Sequence, residues 1–214
     1  MQNRLFITAT DTDAGKTYVT TALTRALREA NRDMIALKPV ACGNDGKQLN
    51  PDVAALLNIQ GLSDEASAGI NLYSFNAPLA PSQAAAKEDR RIDPQRLTDW
   101  CMERSMEHDI CLLEGVGGLM VPLVKGFLVL DWLAQMPDFD VVLVVRVRLG
   151  GINQALLTLD KLNQIGRSPV RIIINDADNA GEAMLASHFE AIGQFSSLAA
   201  PGILEILKYN EIPC

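Results

Sequence analysis

The chain has 214 residues, 48% of them hydrophobic, with 19 basic against 26 acidic side chains and a formal net charge of −7. That balance argues against a basic face for nucleic acid, and no apolar run reaches the roughly 20 residues that cross a bilayer. The length suits one domain, 1–214, around one sizeable core. Cys42, Cys101, Cys111 and Cys214 show no C-x-x-C spacing and read as reduced thiols. His108 and His188 lie too far apart in the chain to suggest a metal pair. With no basic-then-apolar leader at the N-terminus, a soluble cytoplasmic protein without nucleic-acid or membrane partners is expected.

In chain order, a strand is predicted over Leu5–Thr8 and a helix over Lys16–Ala30. A second strand follows at Met34–Val40, then a polar, glycine-containing loop over Ala41–Pro51 and a helix opened by Asn50-Pro51-Asp52. Asp93-Pro94 supplies an N-cap and an N1 proline for a helix running to about His108. Strands at Ile110–Leu113, Val141–Val147 and Val170–Ile174 alternate with helices at Leu128–Gln135 and Asn153–Ile165, the latter stopped by Gly166. The strands are continuous Val, Ile and Leu blocks, as in parallel strands covered on both faces. The pattern predicts an α/β fold with a doubly wound, mostly parallel sheet and helices on both faces.

Three stretches carry chemistry. Gly15-Lys16-Thr17 falls between a strand and a helix, the context that lifts a phosphate-loop match above chance. Backbone N–H groups there would face phosphate oxygens, helped by the helix dipole. Lys16 would neutralise the β- and γ-phosphates of ATP, and Thr17 would join the Mg²⁺ shell. Glu114 ends the strand at Ile110–Leu113, where ligands gather in such sheets, and can reach the same Mg²⁺. Asp52 reads first as a helix N-cap. Lys38 ends the second strand on the same edge as Lys16, and two lysines suit charge that builds beyond the γ-phosphate. A surface lysine lying along apolar neighbours is the plainer alternative.

Taken together, TATDTDAGKT, LKPVACG, NPDVAAL, APLAPS, EGVGGLMVPL, RLGGINQALLT and IIIND, spread over residues 5 to 176, resemble the dethiobiotin synthetase family of P-loop NTPases. The resemblance implies an ATP-dependent cyclo-ligase that closes a urea ring on 7,8-diaminononanoate with CO₂, in biotin synthesis. The route runs through a carbamate and a carbamic–phosphoric anhydride, with ATP and Mg²⁺ bound. It implies catalytic roles for Thr12, Lys16 and Lys38, and metal contacts from Thr17, Asp52 and Glu114. Nucleotide contacts would come from Asp13, Ala14, Gly15, Lys16, Thr17, Tyr18, Glu114, Gly115 and Gly117, with Asn175 and Asp176 at the purine. Cys42, Pro81, Gly150, Gly151, Ile152 and Asn153 would hold the diamine, partly across a homodimer interface.

The chain departs from the family's usual residues at several points. Ala9 stands for the loop's first glycine, a mild change if its φ is negative. Asp13 stands for glutamate, Cys42 for serine, and Ser82 and Gln154 for histidine. Leu198–Pro201 is only faintly like the family's purine-binding turn. Nearby lysines would lower the Cys42 pKa while a substrate carboxylate needs the neutral thiol, and the sequence leaves that balance open. Two rivals differ in kind. A cobyrinic-acid-amidating relative needs a glutaminase domain for which this length has no room. A regulatory, partitioning-type P-loop ATPase usually carries a second lysine in its loop, where this chain has Asp11, Asp13 and Ala14. A paralogue that binds nucleotide without turnover is the third alternative.

Overall fold

The computed structural model describes residues 4–44, 48–195 and 203–208. The chain begins with β1 (Arg4–Ala9), a loop, α1 (Lys16–Glu29), β2 (Met34–Leu37) and β3 (Val40–Cys42). Next come α2 (Pro51–Gln60), a 3₁₀ turn (Asp64–Ala66), α3 (Ser67–Ile70), β4 (Tyr73–Phe75), α4 (Pro81–Lys87) and α5 (Pro94–Ser105). The second half runs β5 (Ile110–Glu114), β6 (Pro122–Val124), β7 (Phe127–Leu128), α6 (Val129–Ala134) and β8 (Asp140–Arg146). It ends with α7 (Gly151–Gln164), β9 (Arg171–Asp176), α8 (Glu182–Phe195) and β10 (Ile203–Lys208).

Among the described residues, six strands form a parallel sheet in the order β10-β9-β8-β1-β5-β2. From β1 the chain moves first to one side, through β2 and β5, and then to the other, through β8, β9 and β10. Right-handed crossovers of opposite direction put helices on both faces and leave a crevice at the carboxyl end of β1. The loop after β1 fills that crevice. β5 is buried at every position, and β1 is buried from Phe6 to Ala9. Their middles are apolar because neither face meets water, and Glu114 at the end of β5 is a polar exception.

Several predicted bounds shift. The strand expected over Met34–Val40 is two strands, because Pro39 lacks the N–H that would continue the ladder. The Lys38 N–H instead donates to the Ile70 carbonyl at 2.8 Å. The chain then leaves the main sheet, and β3 pairs with β4 in a separate two-stranded sheet. Part of the expected Ala41–Pro51 loop is therefore strand. α5 is capped as read, Asp93 accepting from the Gln95 and Arg96 N–H groups, but it ends at Ser105. α7 begins at Gly151 rather than Asn153, and β9 is not the last strand, since β10 adds beside it. Leu198–Pro201 and Cys214 lie outside the described residues.

The central strand is anchored from behind by aromatic packing. Phe6 meets Trp132 of α6 edge-to-face, with ring centroids 5.1 Å apart, and both are wholly buried. Trp132→Ala is expected to cost about 3–5 kcal/mol in urea unfolding, the usual range for truncating a buried aromatic. A loss under about 1 kcal/mol would show that this contact does not hold β1 in place.

Candidate active site

The β1–α1 loop turns through two left-handed residues, Asp13 (φ 57°) and Gly15 (φ 96°). Gly15 is required sterically as well: a Cβ there would lie 2.0 Å from Asn175 Nδ2. Ala9 is buried as the last residue of β1 and is not among the positive-φ residues, so alanine is accommodated where the resembled family has glycine. The loop leads straight into α1, so the first turn of that helix faces the crevice. Lys16, buried, reaches back to the Asp11 carbonyl at 3.3 Å.

A buried charge cluster lies beside the loop. Lys38 Nζ is 2.6 Å from Glu114 Oε1 and 3.0 Å from Asp52 Oδ2, and it also reaches the Gly115 carbonyl at 3.3 Å. Glu114 is 0% exposed and Lys38 3%. The Thr17 hydroxyl donates to the same Glu114 oxygen at 2.6 Å. Asp52 is not the cap of α2. Asn50 takes that role, its Oδ1 accepting from the Asp52 N–H, which leaves the Asp52 carboxylate to face Lys38.

The charges respond to one another. Burial opposes ionisation of Lys38, but Glu114 and Asp52 outweigh it and raise its pKa. Burial likewise opposes the Asp52 carboxylate, and Lys38 and Thr17 outweigh it and lower its pKa. For Lys16 the carboxylates of Glu114, Asp52 and Asp13 offset only part of the cost. Burial, then repulsion from Lys38, bring its pKa down to about 8. Lys16 thus lacks the counter-charge that a phosphate would bring.

A cleft of about 920 Å³ opens over these groups. Its lining includes Thr12, Asp13, Gly15, Lys16, Thr17, Lys38, Cys42, Asp52, Pro81, Glu114 and Gly117, residues drawn from five separate stretches of the sequence. Glu114 Oε2 is buried without a hydrogen-bond partner. An orphaned carboxylate oxygen beside a threonine hydroxyl and a second carboxylate fits a divalent cation bound by hard oxygen donors.

Other residues singled out in the sequence lie elsewhere. Ala14 is buried under the loop, and Gly115 is buried behind it against Phe6. Tyr18 and Asp176 are not part of the cleft lining, and Asp176 Oδ1 accepts from the Ala180 N–H at 2.7 Å. Asn175 is wholly buried, with its amide donating to the Ala14 carbonyl at 2.9 Å. Gly150, Gly151, Ile152 and Asn153 start α7 outside the cleft. The Gly151 N–H, expected to be open to a carboxylate, donates to the Arg148 carbonyl at 2.9 Å. Gly151 is pressed so close that a Cβ would meet His188 Nε2 at 2.6 Å. Gln154 joins Arg148 in binding Asp11 Oδ2, at 3.1 Å and 2.7 Å. The sequence reading missed Arg146, which lines the cleft as the last residue of β8. Its signal was an arginine ending an apolar strand at the edge where Lys38 and Glu114 also emerge.

Among the described residues, no helix is long and apolar enough to cross a membrane. A family model described as an AAA domain matches residues 3–211. The chain is 38% identical over 178 residues to the ATP-dependent dethiobiotin synthetase BioD of Aromatoleum aromaticum, covering 82% of this chain and 78% of that protein. It is 38% identical to BioD 1 of Salmonella typhi, covering 85% and 80%. Among solved structures it is similar to a ParA family ATPase from Chlorobium tepidum, with a TM-score of 0.58 at 15% identity, covering 98% and 86%. The septum site-determining protein MinD of Pyrococcus horikoshii gives 0.55 at 14% identity, covering 95% and 81%. At such low identity these two establish the P-loop fold alone.

Burial raises the pKa of Cys42 to about 11, against a smaller opposing pull from Lys38, so at neutral pH the thiol is protonated. Alkylation of Cys42 is expected to be on the order of a hundredfold slower at pH 8 than that of a free thiol, rising about tenfold per pH unit up to pH 10. Mass-spectrometric mapping of the labelled peptide checks this. Fast labelling that levels off near pH 8 would contradict it.

Proposed function

The chain belongs to the ATP-dependent dethiobiotin synthetase family, and from that premise we propose how its residues divide the reaction. It is an ATP-dependent cyclo-ligase of biotin synthesis. The substrates are ATP, CO₂ or bicarbonate, and 7,8-diaminononanoate. One amine takes up CO₂ as a carbamate, whose oxygen attacks the γ-phosphoryl group to form a carbamic–phosphoric anhydride and release ADP. The second amine attacks the anhydride carbon, closing the urea ring and expelling phosphate. No side-chain nucleophile is needed. The work lies in positioning and charge stabilisation.

The observation that carries this reading is the pairing of a buried, only partly compensated Lys16 with the Lys38–Glu114–Asp52–Thr17 cluster at one cleft. Lys16 and the N–H groups of Asp13, Ala14, Gly15, Thr17 and Tyr18 hold the phosphates. Lys38 faces the charge that develops as the phosphoryl group moves, and Thr12 orients it. Glu114, Asp52 and Thr17 hold Mg²⁺, which when bound neutralises the phosphate oxygens. No group of three or more His, Cys, Asp or Glu gathers among the described residues, and Mg²⁺ does not need one where phosphates complete its shell. Gly115 and Gly117 let the backbone pass close by, and Asn175 and Asp176 form the floor near the purine. Cys42, as a neutral thiol, and Pro81 line the diamine's side of the cleft.

Gly150, Ile152 and Asn153, with Gly151 closing the turn, serve the diamine carboxylate of a neighbouring subunit in a cytoplasmic homodimer. Support comes from the surface around them. Leu149 is 94% exposed and Leu157 58%, an apolar face that a second copy would cover. The whole chain acts as one ligase domain. Sedimentation is expected to give a dimer at assay concentration, and a fully active monomer would refute this arrangement.

Phosphate release is expected to require diamine and bicarbonate together. Equal ATP hydrolysis without diamine would instead favour a switch-type ATPase. The two lysines separate binding from chemistry. Lys16→Ala is expected to weaken ATP binding at least tenfold, because its contact exists in the ground state. Lys38→Gln, which keeps a donor for Glu114, is expected to lower kcat by about a hundredfold with little change in ATP affinity. An unchanged kcat in Lys38→Gln would leave Lys38 a purely structural counter-ion.

A further inference from the structure

Asp13 occupies the left-handed region, which aspartate tolerates better than most non-glycine residues, and its surroundings hold it there. Two side chains from neighbouring strands grip consecutive peptides at this turn. Arg146, ending β8, donates from Nη1 to the Asp13 carbonyl at 2.9 Å. Asn175, in β9, donates from Nδ2 to the Ala14 carbonyl at 2.9 Å. Arg146 is itself fixed by a fork to Asp178, Nε to Oδ2 at 2.7 Å and Nη2 to Oδ1 at 2.6 Å. No peptide bond among the described residues is cis, and in a trans peptide the C=O and N–H point opposite ways. Holding the Asp13 and Ala14 carbonyls toward β8 and β9 therefore turns the Ala14 and Gly15 N–H groups to the other side.

We propose that Arg146, anchored by Asp178, and Asn175 are positioning residues that pre-form the phosphate-binding nest by holding the carbonyls of Asp13 and Ala14. The proposal rests on the nucleotide reading given above. An anion nest works through N–H groups aligned before the ligand arrives, so that binding does not have to order them. A fork-held guanidinium suits the task because its planar donors are fixed in direction. Asn175 acts through the same loop from below, its amide lying where any side chain at residue 15 would collide.

The test measures calorimetric affinity for ADP with Mg²⁺ and for inorganic tripolyphosphate, which lacks a base. Arg146→Gln and Asp178→Ala are each expected to weaken both probes about tenfold, with the double variant no weaker than the worse single one, since they break one route. Asp178→Glu is expected to restore most of the affinity, and melting temperatures of these surface variants are expected to stay within about 3 °C of the parent. Asn175→Ala is expected to weaken tripolyphosphate about tenfold and ADP at least as much. If Arg146 were instead a direct phosphate ligand, Asp178→Ala would free its charge and leave affinity unchanged or tighter, which overturns its positioning role. If Asn175→Ala weakened ADP but not tripolyphosphate, Asn175 would act on the base alone and its part of the proposal would fall. A parent protein that binds neither probe would overturn the proposal and the nucleotide reading together.

Discussion

A fully buried carboxylate at the end of a central strand sets the terms for this molecule. Glu114 is 0% exposed, and its charge is tenable only because Lys38 and Thr17 both reach Oε1 at 2.6 Å. Removing one partner of such a pair leaves an uncompensated buried charge, typically a loss of about 3–5 kcal/mol. Much local structure follows from that need. Pro39 breaks the second strand just after Lys38, so the lysine turns into the sheet edge while the chain departs to pair β3 with β4. Asn50 caps α2 and leaves the Asp52 carboxylate facing Lys38, 3.0 Å away. The cluster is thus assembled from the ends of β2 and β5 and the starts of α1 and α2.

The same cluster explains why the neighbouring lysine is poised differently. Lys38 meets two carboxylates directly, while Lys16 is buried beside it with a pKa near 8, a hydrogen bond to a carbonyl and more distant attraction from the same carboxylates. A polyanion entering the cleft supplies what Lys16 lacks and approaches N–H groups at the start of α1. The ParA family ATPase and the septum site-determining protein share the fold at 15% and 14% identity, and fold alone does not select among chemistries. Ligation follows from the cleft's side chains together with family membership.

Much of the architecture was legible in the sequence because parallel strands buried on both faces leave unbroken Val, Ile and Leu runs. β1, β5, β8 and β9 were found that way. β3, β4 and the β6–β7 pair are two or three residues long and carry too little periodicity to read. In the site, Gly15-Lys16-Thr17 was legible because the chemistry demands those residues in order. Lys38, Asp52 and Glu114 were visible as candidates, but their mutual contact depends on tertiary approach. The role of Asp52 in particular was obscured by the capping signal, which belongs to Asn50. Arg146 was legible only as an arginine ending an apolar strand, because its meaning lies in a backbone carbonyl 133 positions away. The Cys42 balance between lysine field and burial also needed the structure, which decides it for burial.

The central claim is that a carbamate oxygen is phosphorylated by ATP in this cleft. Turnover with ¹⁸O-labelled bicarbonate, ATP and the diamine tests it most directly, using mass spectrometry of the released phosphate and the organic product. Transfer through the anhydride predicts one bicarbonate-derived ¹⁸O in each phosphate, in step with a cyclic urea and ADP. Phosphate carrying oxygen only from ATP and solvent water, with no cyclic urea formed, would contradict it.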